Sequence, residues 1–252
     1  MTEGSLRPAS IPAELATDLV AACRLLHAQG LLTYSGHVSA RLPDGAGMVI
    51  HSRDKHRGAV TAADLLTCDL TGQAHLPADQ QRVPIEVFIH TGIYRNRPDV
   101  QSVVHTHSPL AAVFSTTRTP IVAAKNHAYR WRDGVPTHPD PTHIGSSEQG
   151  AELAATLGRH HAALLRTHGG VIVAESIEAA VVDSIHFEEN LKTQLAVTSL
   201  GQFAPLTDDE LDRLSTGFNR ERHVRRLWRY YLEDATLGRN HGTASLEPEP
   251  IA

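Results

Sequence analysis

The chain has 252 residues, 41% of them hydrophobic, and a formal net charge of -5. That is enough apolar material for a sizeable core, and without any Lys- or Arg-rich block a nucleic-acid partner is excluded. No apolar run approaches the ~20 residues of a membrane helix. Residues 1–10 lack the pattern of a signal peptide. Cys23 and Cys68 have no paired spacing, so neither a disulfide framework nor a thiolate zinc site is expected, and a cytoplasmic location is.

Residues 11–29 place Leu15, Leu19, Val20, Cys23 and Leu26 at helical spacing, and Gly30 follows as a stop, which predicts an amphipathic helix. Tyr34-Ser35-Gly36 is a turn opening a strand over 37–42. Alternation puts His37, Ser39 and Arg41 on one face of that strand, and Gly36 at its tip would let a ligand approach the backbone. Residues 43–47 form a hairpin turn, and 48–50 return as a strand into the polar loop 51–57. That loop reads either as a solvated connection or as an anion site in which Ser52 and Arg53 meet a carboxylate. Thr61 and Asp64 start a short helix, 66–70 is a strand, and a loop leads to Arg82. A helix is predicted over 85–95 with Glu86 in its first turn, where the dipole favours a carboxylate, and His90 one turn on.

Pro98 and Asp99 break that helix, and 100–106 is an apolar strand ending in His105-Thr106-His107. Ser108-Pro109 opens a helix to Phe114; 121–124 reads as a strand, 125–131 as a polar-aromatic segment, and the proline-rich 137–143 as an irregular loop. A capped helix follows over 149–157. A strand over 163–167 delivers His168-Gly169-Gly170, and 171–174 continues it. Residues 176–200 form one long helix with a stripe of Ile177, Ala180, Val181, Ile185, Leu191 and Leu195. Thr207 caps another, and 218–231 is basic and aromatic, with Trp228, Tyr230 and Tyr231 suited to a neighbouring subunit; residues 233–252 read as frayed. With no repeat and no linker, the pattern reads as one α/β domain over 1–252 with a mainly antiparallel sheet and a helical extension from about residue 207.

Two histidines two apart in a strand share a face. His105 and His107, with His168 at a second strand end, offer three neutral nitrogens for a divalent metal, leaving a position open for substrate. Glu86 is then either a fourth, displaceable ligand or a general base beside the metal. Such a site accepts manganese or zinc, and iron or cobalt also fit. No acid follows the pair as in a cupin, Pro109 breaks a His-x-His-x-Asp-His pattern, and no zincin helix, nucleophile elbow or phosphate loop occurs.

In Ser35-Gly36-His37-Val38-Ser39-Ala40-Arg41, Glu86 with Ile89-His90, Arg97-Pro98-Asp99-Val100, His105-Thr106-His107 and His168-Gly169, the chain resembles the class II aldolase/adducin-head family over about residues 11–200. The resemblance implies a three-layer α/β/α fold, tetramers with active sites between subunits, His105, His107 and His168 as metal ligands, and Glu86 as the acid–base carboxylate. Sugar-phosphate aldolases of the family carry asparagine where His37 stands and two serines where Pro84 and Ile85 stand, so their phosphate cradle is largely lost here. The departures resemble a subgroup that decarboxylates hydroxylated aromatic acids. They imply a small hydroxyaromatic acid as substrate, Glu86 and then His37 as candidates for proton transfer, and Tyr129 or His127 closing the site. An aldolase on a ketose, sugar phosphate or 2-oxo acid is the alternative, and a non-catalytic adducin-head-like module a more distant one.

Overall fold

The computed structural model describes residues 11–74 and 82–236. Seven strands form its central sheet: β1 (His37–Arg41), β2 (Gly47–His51), β3 (Leu65–Asp69), β4 (Ser102–Thr106), β5 (Thr137–His138), β6 (Ala162–Leu165) and β7 (Gly169–Ala174). Their order is β3-β2-β1-β4-β7-β6-β5. Only β5 and β6 run parallel, so the sheet is mixed and mainly antiparallel, as expected. Seven α-helices accompany it: α1 (Ala13–Ala28), α2 (Val87–Asn96), α3 (Pro109–Ser115), α4 (Ser147–Leu157), α5 (Ile177–Ser199), α6 (Asp208–Ser215) and α7 (Arg220–Thr236). The signals that start them are local. Ser146, Ser176 and Thr207 each accept a backbone N–H of the first turn of α4, α5 and α6.

Strand β4 shows why three layers form. Val103 and Val104 are adjacent, so they point to opposite faces. Val104 joins Leu19, Leu26, Val38, Val181 and Trp228 in a core under α1, α5 and α7. Val103 joins Ile89, Ile93, Leu153 and Val173 in a core under α2 and α4. Each such side chain, fully buried, contributes about 1.5–3 kcal/mol, which fixes the register of β4.

Several expectations need correction. Residues 121–124 are not a strand. Their backbone is held by side-chain amides of α5 instead: Gln194 accepts from Val122 N at 3.0 Å and donates to Pro120 O at 2.8 Å, and Asn190 accepts from Ala124 N at 3.0 Å and donates to Val122 O at 2.9 Å. Asn190 and Gln194 are buried to do this, whereas Leu195, assigned to the apolar stripe, is exposed. Thr137 and His138 pair with Leu164 and Leu165 as an edge strand, so the proline-rich loop is irregular only after them. Gly169 and Gly170 lie within β7, and the turn before it is 166–168. Trp228 and Tyr231 belong to the chain's own core against α1 and α5, and of the three aromatics assigned to a neighbouring subunit only Tyr230 is exposed. α7 is regular to Thr236, beyond the expected onset of fraying, and residues 237–252 lie outside the described residues, as do residues 1–10. Among the described residues no helix is long and apolar enough to cross a membrane.

Candidate active site

Glu86, His105, His107 and His168 come together although three separate segments carry them. One ligand atom from each lies within 4.8 Å of all the others. His105 is in β4, His107 just beyond its end, and His168 in the turn from β6 to β7. Glu86 precedes α2 rather than occupying its first turn, a correction to the expected helix start. It makes no capping bond, so its carboxylate is free to face the histidines. Its Oε2 stands 3.4 Å from His105 Nε2, 3.5 Å from His168 Nε2 and 3.9 Å from His107 Nε2. Its Oε1 accepts the Ile144 N–H at 3.3 Å and lies 3.3 Å from His143 Nδ1.

The cluster is built for a cation. His105 Nδ1 donates to Gly170 O at 3.1 Å, which leaves Nε2 as the lone-pair nitrogen, and that buried atom has no hydrogen-bond partner among the described residues. His168 Nε2 and His107 Nε2 face each other at 3.1 Å. Burial and neighbouring histidines hold His107 down at about 3 and His168 at about 4, so both are neutral at physiological pH. Burial pushes the Glu86 carboxyl up, but a proton arriving in the cluster goes to the His105 or His168 ring rather than to the carboxylate, and with the Ile144 N–H this holds the group well below the usual carboxylate range. Three imidazole nitrogens and one carboxylate oxygen converge with too few protons between them, and a divalent ion satisfies all four.

Two local strains serve this arrangement. Thr167 adopts φ 62, unusual for a β-branched residue and costing about 1–3 kcal/mol, and its N–H is tied to Ser115 Oγ at 2.9 Å; the next residue is His168. Gly36 has φ +82, and a Cβ there would lie 3.0 Å from His105 O, so the protein's own backbone makes a close approach at Gly36, which also lines the cavity.

Tyr34, Ser35, His37, Arg53, Glu86, His107 and His143 all contribute to the wall of a cavity of about 430 Å³, with Pro84 and Ile85 on its rim. That size suits a small organic ligand. Tyr34 and Ile85 are largely exposed, and the Tyr34 ring centroid is 6.5 Å from that of His107. Ser35 Oγ is buried without a partner among the described residues. Of the loop 51–57, Arg53 reaches the cavity, held at 3.4 Å by Asp54, while Ser52 is buried and does not line it, a correction to its assignment. Arg57 is a staple: its guanidinium donates to Gly36 O, Arg53 O and Lys55 O. Within the chain, His127 and Tyr129 do not reach the cavity. His127 stacks on His186 at 3.9 Å and Tyr129 packs edge-on to Phe218. His143 was missed, because nothing in a proline-rich loop marks one histidine among 17 as facing a carboxylate.

Buried histidines away from the four-residue cluster make the fold acid-sensitive. Burial, aided by Arg57 for His51, by His186 for His127 and by Arg130 for His161, holds these three at about 4; burial also holds His186 there, against the opposing charge of Glu189. The unfolded chain takes up these protons near 6.5, the folded one only near 4, so stability is full above pH 6.5 and falls as pH drops toward 4. The melting temperature should fall by roughly 10 °C or more between pH 7.5 and 5. A flat profile over that range would show that these rings titrate normally.

The profile of the Class II Aldolase and Adducin N-terminal domain family matches residues 17–195. A 3,4-dihydroxyphthalate decarboxylase of Arthrobacter keyseri is 30% identical over 226 residues, covering 84% of this chain and 90% of that protein. A second 3,4-dihydroxyphthalate decarboxylase, of Rhodococcus jostii (strain RHA1), is 30% identical over 229 residues, 85% of this chain and 93% of that protein. Among solved structures, an aldolase II superfamily protein from Pseudomonas syringae superposes with a TM-score of 0.79 at 22% identity, over 95% of this chain and all of that one.

Proposed function

Because the chain belongs to the class II aldolase and adducin N-terminal domain family, we propose that it is a divalent-metal-dependent carbon–carbon lyase that decarboxylates a hydroxylated aromatic acid. The observation that carries this reading is one cavity joining the Glu86, His105, His107 and His168 cluster to a rim of Pro84, Ile85 and Tyr34, with Arg53 on its wall. The apolar rim suits a flat ring, the guanidinium a second carboxylate, and the relatives named above act on such an acid.

His105, His107 and His168 would hold a divalent ion, which would supply a Lewis acid for negative charge developing on the substrate's oxygens. Glu86, ionised in the free protein, takes the proton of the ring hydroxyl. It returns that proton to the ring carbon bearing the carboxylate, producing a β-keto-acid-like species. The bond to the carboxylate then breaks, carbon dioxide leaves, and the bonding pair restores the aromatic ring. His143 and the Ile144 N–H hold the other Glu86 oxygen and so aim the one that moves the proton. Arg53 pairs with a second carboxylate, and Ser35, Gly36 and His37 line the same cavity.

The reading extends to manganese or zinc as the metal, to a cytoplasmic homotetramer of a single-domain chain with a helical extension from about residue 207, and to His127 and Tyr129 approaching a neighbouring subunit's cavity. The test is carbon dioxide release. Protein reconstituted with manganese or zinc is given 3,4-dihydroxyphthalate and other ortho-hydroxy aromatic acids, with His105→Ala as control. Metal-dependent release that the variant loses is the expected result. No release from any acid, with aldehyde formed from a ketose phosphate or a 2-oxo acid, would replace this reading by the aldolase.

A further inference from the structure

The face of β1 that carries His37 and Ser39 is not solvated. α2 covers it with His90 and Tyr94, one helical turn apart, and all four side chains are buried: His37 is 4% exposed, Tyr94 1%, and Ser39 and His90 not at all. They stand in single file from the cavity wall into the core. His37 Nδ1 is 2.5 Å from His90 Nε2, His90 Nδ1 is 2.6 Å from Ser39 Oγ, and Ser39 Oγ is 2.8 Å from the Tyr94 hydroxyl.

The protons in this file can be counted from its inner end. Among the described residues the one side chain within hydrogen-bond distance of the Tyr94 hydroxyl is Ser39, whose Oγ can accept from it. A buried hydroxyl hydrogen left unbonded costs about 1–3 kcal/mol, so Tyr94 donates to Ser39. Ser39 has one hydrogen, and its other neighbour is His90 Nδ1, so it donates there. A neutral His90 that accepts at Nδ1 carries its proton on Nε2 and donates to His37 Nδ1. A neutral His37 that accepts at Nδ1 carries its own proton on Nε2. That nitrogen is the one not spent in the file, on a ring that forms part of the cavity wall.

We propose that Tyr94, acting through Ser39 and His90, fixes His37 as a hydrogen-bond donor toward the cavity, so that the site selects substrates presenting an anionic oxygen at that point. His37 then neither supplies nor takes a proton in turnover, since giving up Nε2–H would leave an imidazolate and Nδ1 is already occupied. Tyr94, Ser39 and His90 are positioning residues, and His37 is a specificity residue. What the donor meets rests on the proposed decarboxylase reading. The direction of the file does not.

Neutron diffraction from deuterium-exchanged, zinc-loaded crystals reads that direction without any substrate. Deuterium on Nε2 of both His37 and His90, with the Tyr94 hydroxyl aimed at Ser39, is expected. Deuterium on His37 Nδ1 overturns the proposal, whatever the enzyme's reaction proves to be. With 3,4-dihydroxyphthalate as substrate, Tyr94→Phe keeps the ring and removes the donor that polarises the file. It should raise KM about tenfold, the worth of one hydrogen bond to a charged group, with kcat within about twofold. Ser39→Ala breaks the file one link further on and should do the same. An unchanged KM, or a loss confined to kcat, overturns the role assigned to His37.

Discussion

Replacing Glu86 by Gln should lower turnover roughly 10²–10⁴-fold, the usual contribution of a positioned acid–base group, and should at the same time make the metal-free protein more stable. The two effects have one cause. The Glu86 oxygen faces three Nε2 atoms at 3.4–3.9 Å, and at least one, on His105, is a buried lone pair without a partner. An amide nitrogen in that position donates where a carboxylate can only accept. It satisfies the orphaned lone pair, and it competes with any ion for the same atom. Metal affinity should therefore fall about 10–100-fold, while the melting temperature of the metal-free Glu86→Gln protein rises above that of the metal-free parent. Metal titration and differential scanning calorimetry on both apo proteins check this. A metal-free variant that melts below its parent would mean that the cluster is already protonated enough to want the negative charge.

Gly169→Ala should be the most damaging single methyl group in the fold. An added Cβ would lie 2.0 Å from Thr106 O and 3.1 Å from the His107 Cα, both backbone atoms of the neighbouring strand. Neither can rotate aside, so β4 and β7 must part at the end that delivers His107 and His168. Overpacking of this kind costs about 3 kcal/mol. A displacement near 1 Å between the two ligands should cost activity about 100-fold. The adjacent Gly170→Ala is the control, because its Cβ would meet Ala163 O at 3.5 Å and Ala111 Cβ at 3.6 Å, ordinary contacts. Equal melting temperatures and equal carbon dioxide release for the two variants would refute the argument.

The parts of the site that were legible in sequence obey short-range rules. His105 and His107 follow from a period of two, His168 from a strand ending beside glycines, and Glu86 from its expected place at the start of a helix, although it stands just before the first turn and not in it. The same rules gave the mainly antiparallel sheet and most helices, because caps such as Ser146, Ser176 and Thr207 act within one turn. What could not be read depends on partners far along the chain. Residues 121–124 have strand-like composition, but their hydrogen bonds go to Asn190 and Gln194, about 70 residues away. Ser52 looked like an anion contact because it neighbours Arg53, yet the fold turns one inward and the other to the cavity. The face of His37, Ser39 and Arg41 was correctly paired, but that α2 would cover it with His90 and Tyr94 is a tertiary fact. Thr167 gives no sign of its left-handed backbone, since turns of that kind usually advertise themselves with glycine or asparagine.

The position of β4 in the middle of the sheet bears on how the protein is made. His105 is flanked by His37 on β1 and by Val171 on β7, each more than sixty residues away along the chain in opposite directions. Contacts of such long sequence separation form late and slowly, because the loops between them must close first. No fragment that lacks β7 holds the His168 corner in place, so a nascent chain emerging from the ribosome cannot capture its ion until synthesis has passed Ala174. The metal then acts as a lock on finished molecules rather than as a template for unfinished ones, and its uptake in a refolding experiment should follow the slowest phase seen by tryptophan fluorescence.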